Sequence, residues 1–95
     1  MKVKRVRIYL GHNNKTEKRF SKVYVVDFFD EYFSGYTIYE TGGMYKTEYE
    51  EGYVIEYLNL DGYVTEIMLK DMRDYGLKYF EQYDILITID EVEII

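Results

Sequence analysis

The sequence has no cysteine, no proline, no tryptophan and a single histidine. Without cysteine, the chain forms no disulfide, no thiolate nucleophile and no cysteine-ligated zinc site. His12 has no second histidine to share a transition metal, so we expect no metal site. We also expect no cofactor. The absence of proline excludes rigid proline-rich linkers and slow prolyl isomerisation.

Long apolar runs are also missing, since none approaches the ~20 residues that cross a bilayer. The chain opens with Met-Lys-Val-Lys-Arg and lacks the apolar region of a secretory signal. We therefore expect a cytoplasmic protein with no membrane partner. Hydrophobic residues make up 47% of the 95 residues and aromatic residues 19%, which indicates one folded domain over residues 1–95.

Charge is distributed very unevenly along the chain. Residues 1–22 carry eight basic residues and one acid, a net +7, whereas residues 23–95 carry four basic residues and seventeen acids, a net −13. One interpretation is that Arg5 and Arg7 pair with acids across a sheet. The other is that the amino-terminal charge stays free to receive an anion. The acidic remainder argues against a nucleic-acid partner.

Hydrophobic periodicity predicts four strands and two helices. Residues 3–10 alternate as a half-buried strand, with Val6, Ile8 and Leu10 toward the core. Tyrosine-rich runs at 36–41 and 49–60 form a hairpin, which Gly42-Gly43 breaks or bulges, and residues 85–89 form a last strand. Helices are predicted over 22–33, with Ser21 as N-cap, and over 64–75, with Gly76 as the C′ residue. Residues 77–84 read either as a short extra turn or as a loop.

The resulting order, strand-helix-strand-strand-helix-strand, is the βαββαβ pattern of the α+β ferredoxin-like fold. In this fold a four-stranded antiparallel sheet carries both helices on one face. The predicted helix over 22–33 is apolar around more than half of its circumference. We therefore expect a homo-oligomer that associates through this helix or through the uncovered sheet face.

The loop after the first strand, HNNKT at residues 12–16, combines amide, hydroxyl and ammonium donors ahead of a helix amino terminus. These groups suit a phosphate, although the Walker A glycine spacing is absent. The alternative is a polar connection without a ligand.

The tyrosines on the hairpin have two interpretations. They offer a face on which a base stacks, or they serve ordinary sheet packing. The candidate ligand-binding residues are Arg5, Arg7, His12, Asn13, Asn14, Lys15, Thr16, Lys18, Arg19 and Tyr45.

The whole chain resembles a family of short, uncharacterised proteins from phages, prophages and their bacterial hosts. The resemblance lies in YLGHNNKT at 9–16, FSGYTIYE at 33–40, GMYK at 43–46, Glu56 and FEQ at 80–82. It implies a phage-like origin, hence the host cytoplasm, and a compact ferredoxin-like domain. It supplies no catalytic residue.

Catalysis has little support, because the two serines, Ser21 and Ser34, lie apart from His12 in the sequence. We expect a protein that binds and does not turn over substrate. One hypothesis is an accessory protein that sequesters a nucleotide or other phosphate-bearing small molecule used in host defence. The alternative is an acidic inhibitor that docks on a host protein through the hairpin tyrosines and through Glu48, Glu50 and Glu51.

Overall fold

The computed structural model describes residues 1–95, and the order of its elements confirms the predicted ferredoxin-like fold. The sheet is antiparallel, with strand order β2-β3-β1-β4. Its elements are β1 (Lys2–Leu10), α1 (Lys22–Phe29), β2 (Thr37–Tyr45), β3 (Glu48–Asn59), α2 (Glu66–Tyr79) and β4 (Leu86–Glu93). Both helices pack on one face of the sheet, which we call the covered face, and the opposite side is the open face.

The central strand β1 shows why the two faces differ. Val6, Ile8 and Leu10 are buried on the covered face, as the alternation predicted. They pack with Val25, Phe28 and Phe29 of α1, with Leu69 and Met72 of α2, and with Tyr53, Ile55 and Tyr57 of β3. Arg5, Arg7 and Tyr9 alternate with them and lie on the open face.

Helix α1 is shorter than predicted and ends at Phe29 instead of residue 33. The N-cap prediction is confirmed, since Ser21 Oγ accepts a hydrogen bond from Tyr24 N at 3.3 Å. After Phe29 the backbone tightens, and Tyr32 N donates to Phe29 O at 3.0 Å. This turn brings Phe33 back onto the sheet, where its ring stacks on Tyr57 at 4.4 Å.

Self-association through α1 was predicted because this helix was expected to leave apolar side chains uncovered, and that expectation is wrong. Phe28, Phe29 and Phe33 are all buried within the chain, and Val23 is the strongly exposed aliphatic residue of this helix. Most of the apolar circumference of α1 is therefore covered by the protein's own core.

Helix α2 begins and ends later than predicted, running from Glu66 to Tyr79 with Thr65 as its N-cap. Gly76 is not a C′ residue but lies inside the helix. A Cβ there would lie 3.1 Å from Ile85 Cδ1 and 3.4 Å from Phe28 Cζ. The glycine lets the helix pack closely against these two side chains, a contact that local sequence does not reveal.

The β2–β3 hairpin continues through Gly42-Gly43 without the predicted break. Pairing runs residue for residue from Thr37 opposite Glu56 to Tyr45 opposite Glu48. The turn consists of Lys46 and Thr47 alone, with φ of 49° and 68°, the left-handed backbone that two-residue hairpins favour. The second strand therefore begins at Glu48, one residue earlier than predicted.

Candidate functional site

Most of the positive charge in residues 1–22 is neutralised within the chain. Six of the eight basic residues form ion pairs with carboxylates; the pairs are Lys4–Glu91, Arg5–Asp90, Arg7–Glu56, Lys15–Glu81, Arg19–Glu51 and Lys22–Glu40. Lys2 and Lys18 form none. The expectation that the amino-terminal charge as a whole stays free for an anion is therefore wrong. The positive charge that remains free for a ligand is limited to single side chains.

Arg5 and Arg7 lie on the open face and pair across the sheet, as one interpretation of the sequence predicted. Arg5 is bidentate to Asp90, with Nε to Oδ1 at 3.0 Å, and this hydrogen bond is the main cause that lowers the pKa of Asp90. Arg7 Nε donates to Glu56 Oε1 at 3.0 Å, and the second oxygen of Glu56 accepts from the Tyr39 hydroxyl. These two arginines do not meet the loop at residues 13–19.

That loop is closed on itself by its own polar groups. Asn13 N donates to Lys18 O at 2.8 Å, and Asn13 Oδ1 accepts from Lys15 N at 2.9 Å. Thr16 Oγ1 accepts from Lys18 N, and Glu17 takes a left-handed φ of 58°. Asn13 and Thr16 therefore use part of their hydrogen-bonding capacity to shape the loop.

Arg19 is a structural residue at the base of the loop. Its guanidinium donates to Gly52 O at 3.1 Å and to Thr41 O at 3.0 Å, and it pairs with Glu51 at 3.0 Å. The guanidinium also lies 5.6 Å from the centre of the Tyr53 ring. These contacts tie the loop to β2 and β3, so Arg19 is not available as the free phosphate ligand that the sequence suggested.

A groove of about 560 Å³ lies between this loop, the start of α1 and the end of α2, and we call it the loop–helix groove. It brings together five of the predicted residues, namely Asn13, Lys15, Thr16, Lys18 and Arg19. It also contains residues that sequence reasoning missed: Phe20, Ser21, Tyr24, Tyr79, Phe80 and Glu81. The spacing of Tyr24 from the N-cap Ser21 was the available signal, because it places the tyrosine in the first turn beside the loop.

The two tyrosines form an aromatic wall of the loop–helix groove. The Tyr24 ring stacks on the Tyr79 ring at 4.5 Å with an interplanar angle of 22°. Each hydroxyl donates to the other residue's backbone carbonyl, at 2.7 Å from Tyr24 and 3.2 Å from Tyr79. Tyr24 also stacks on Phe20 at 5.8 Å and remains 40% exposed, so the part of its side chain that a ligand can reach is held in a fixed position.

The cationic wall consists of Lys15 and Lys18. Lys18 has no ion pair, and Lys15 Nζ lies 3.2 Å from Glu81 Oε2 in a pair whose side chains are 76% and 60% exposed. An exposed pair of this kind contributes about 0–1 kcal/mol, so an incoming anion can take the lysine from the glutamate. Glu81 also holds a left-handed φ of 51°, and its carbonyl accepts from Asn14 Nδ2 at 2.9 Å.

The remaining predicted residues, His12, Asn14 and Tyr45, line a different groove at the end of the hairpin. Tyr45 is 64% exposed and does not share a cavity with Lys15, Lys18 and Arg19, so the predicted combination in one site is wrong. His12 N donates to Glu50 Oε1 at 3.1 Å, while its Nδ1 is buried without a hydrogen-bond partner.

No group of three or more histidine and carboxylate side chains is arranged to hold a metal ion. Neither helix has the length and hydropathy of a bilayer-crossing segment.

No family profile matches this sequence, and no curated protein matches it either. Among solved structures, the fold is similar to CPII, a nitrogen regulatory PII-like protein from Thiomonas intermedia K12 whose structure contains ADP, AMP and bicarbonate. The TM-score is 0.58 at 16% identity, over 99% of this chain and 93% of CPII. A second similar structure is a PII-like signaling protein from Thermus thermophilus, with a TM-score of 0.49 at 21% identity, over 100% of this chain and 90% of the other. At this identity, the likeness to CPII establishes the ferredoxin-like fold and no more.

Proposed function

We propose that this protein binds a phosphate-bearing small molecule of the nucleotide class in the loop–helix groove. The observation that carries the proposal is the position of Lys18, the one cation lining the groove that has no carboxylate partner. It lies in the same groove as the partly exposed Tyr24 and the amino terminus of α1. A nucleotide needs a positive site for phosphate and a flat apolar surface for its base.

Two further features support this choice of ligand. The pairing of Lys15 with Glu81 is exposed, so a phosphate can compete for the ammonium with little loss of stability. CPII, which has the same fold, was determined with ADP, AMP and bicarbonate bound. That similarity makes these three compounds the first ligands to test, although it does not place a ligand in this groove.

The test is a thermal-unfolding screen with AMP, ADP, ATP, cyclic nucleotides and bicarbonate. A ligand present at 100 times its dissociation constant stabilises the folded state by about 2.7 kcal/mol, which shifts the melting temperature by several degrees. We expect Lys18→Ala and Tyr24→Ala to abolish or reduce this shift. Lys2→Ala is the matched control, because Lys2 also lacks an ion pair but lies on β1, outside the groove.

The wider role that we propose is sequestration of a nucleotide signal of host defence by a phage-type accessory protein. The phage-like sequence motifs motivate it, and the loop–helix groove is where we expect such a signal to bind. Expression in bacteria that produce such a signal should lower its free concentration, and the Lys18→Ala variant should not. An equal decrease with both proteins would reject sequestration through this groove.

A second candidate function is docking on a host protein through the hairpin end. Met44, Tyr45 and Tyr49 are each more than 60% exposed there, which favours an interface. The acids contribute less than the sequence suggested, because Glu50 accepts from His12 N and Glu51 pairs with Arg19. A stoichiometric protein partner that Tyr45→Ala releases and Lys18→Ala retains would favour docking over nucleotide binding.

A further inference from the structure

Strand β2 is an edge strand without the features that usually protect an edge. It is nine residues long, contains no proline and no lysine, and pairs with β3 without a bulge. The other edge, β4, carries three acids within four residues, namely Asp90, Glu91 and Glu93. Each of these acids pairs with a cation of the chain, namely Arg5, Lys4 and the amino terminus, so this edge is lined with ion pairs, whereas β2 has Glu40 as its single charged residue.

The hydrogen-bonding groups that β2 leaves free follow from the pairing of the sheet. Met1 and Ile94 exchange two backbone hydrogen bonds, so odd residues of β1 bond to β4 and even residues bond to β3. The odd residues of β3 bond to β1, so the even residues of β3 bond to β2. Because each even residue of β3 lies opposite an odd residue of β2, the odd residues of β2 bond to β3. The amides and carbonyls of Ile38, Glu40, Gly42 and Met44 therefore point outward.

An antiparallel pairing of β2 with itself is complementary when the twofold axis passes through Thr41. Ile38 then lies opposite Met44 of the second copy, and Tyr39 lies opposite Gly43, where the ring covers the backbone of a residue without a side chain. Glu40 lies opposite Gly42, so no two carboxylates face each other. Glu40 is also partly neutralised by Lys22 at 3.3 Å.

We propose that the partner of this edge is a second copy of the chain, joined through antiparallel β2–β2 pairing centred on Thr41. The two sheets become one continuous eight-stranded sheet, in which the outward groups of Ile38 and Met44 bond to each other, as do those of Glu40 and Gly42. Because Thr41 bonds to β3, the two Thr41 residues at the axis form a non-hydrogen-bonded pair. Such pairs have Cα atoms about 4.5 Å apart, within the range that a disulfide spans.

The test uses the natural absence of cysteine. Thr41→Cys should form a covalent dimer rapidly under copper–phenanthroline in air, which oxidises the two thiols. Gly43→Cys is the matched control, since in this register its neighbour is Tyr39 and not a second cysteine. Unoxidised wild-type protein should sediment with twice the monomer mass at high concentration, and Thr41→Lys, which brings two ammonium groups to the axis, should sediment as a monomer.

Two results would overturn the proposal. One is a wild-type protein that remains monomeric at every concentration, or forms a different oligomer that Thr41→Lys leaves intact. The other is cross-linking of Gly43→Cys as fast as Thr41→Cys, which would indicate random collision or another register. Circular dichroism of each variant establishes that it is folded. Nucleotide binding by the Thr41→Lys monomer would show that the groove acts independently of this edge.

Discussion

Arg19 and Lys18 are neighbours in the sequence but differ in what holds them. Arg19 donates to two backbone carbonyls and pairs with Glu51, and its side chain is 23% exposed. Lys18 contacts the chain through its backbone and leaves its ammonium free. The sequence predicts Lys18 and Arg19 alike as cations of one loop. It does not show which of the two will bind a carbonyl that is distant in the chain, such as Gly52 O.

This difference predicts that substitution of Arg19 destabilises the folded protein and substitution of Lys18 does not. Arg19→Met keeps the aliphatic stem but removes the hydrogen bonds to Gly52 O and Thr41 O, so we expect a loss of about 1–3 kcal/mol in the free energy of unfolding. Lys18→Ala should change it by less than about 0.5 kcal/mol. Urea unfolding measures both. Equal destabilisation by the two substitutions would contradict the structural role of Arg19.

A second prediction at this scale concerns Asp90. The hydrogen bond from Arg5 lowers the pKa of Asp90 in the folded protein, so the contribution of the pair to stability is complete above the unfolded pKa of about 3.9 and is lost as pH falls through the lower folded value. The difference in unfolding free energy between wild type and Asp90→Asn should therefore shrink below about pH 4. A difference that stays constant down to about pH 2 would contradict this account.

At the scale of elements, periodicity predicted every strand and both helices, because burial of one face sets the spacing of apolar residues. The ends of α1 and α2 were wrong, since Phe33 stacking on Tyr57 and the contact of Gly76 with Ile85 are tertiary. The bulge predicted at Gly42-Gly43 was wrong for a similar reason. Gly42 leaves room for the Tyr49 ring, which lies across the strand pair.

Another glycine of the hairpin yields an element-scale prediction. A Cβ on Gly52 would overlap the backbone carbonyl of Leu10, which cannot move without disturbing β1. Gly52→Ala should therefore cost about 1–3 kcal/mol in the free energy of unfolding. Gly43→Ala is the control, because a Cβ there meets no atom within 4 Å. Urea unfolding should separate the two, and equal stabilities would show that the strands relax around the methyl group.

At the scale of the whole molecule, the asymmetry of charge along the sequence becomes pairing across the sheet and between loops. The acidic residues of β2, β3, β4 and the α2–β4 turn neutralise the basic amino-terminal segment, apart from Lys2 and Lys18. The sequence could predict that positive charge is concentrated at the amino-terminal end, and it could predict the strand order that makes this pairing feasible. It could not predict which lysine is left over, because that depends on the shape of the loop.

The central claim, that the leftover charge of Lys18 and the ring of Tyr24 form one ligand site, is tested most directly by titrating ADP into isotopically labelled protein and following its amide ¹H–¹⁵N spectrum. We predict saturable shifts concentrated in residues 13–24 and 79–81, which Lys18→Ala removes. Shifts centred on Tyr45 and the hairpin end, or no shifts with any nucleotide of the screen, would contradict the claim.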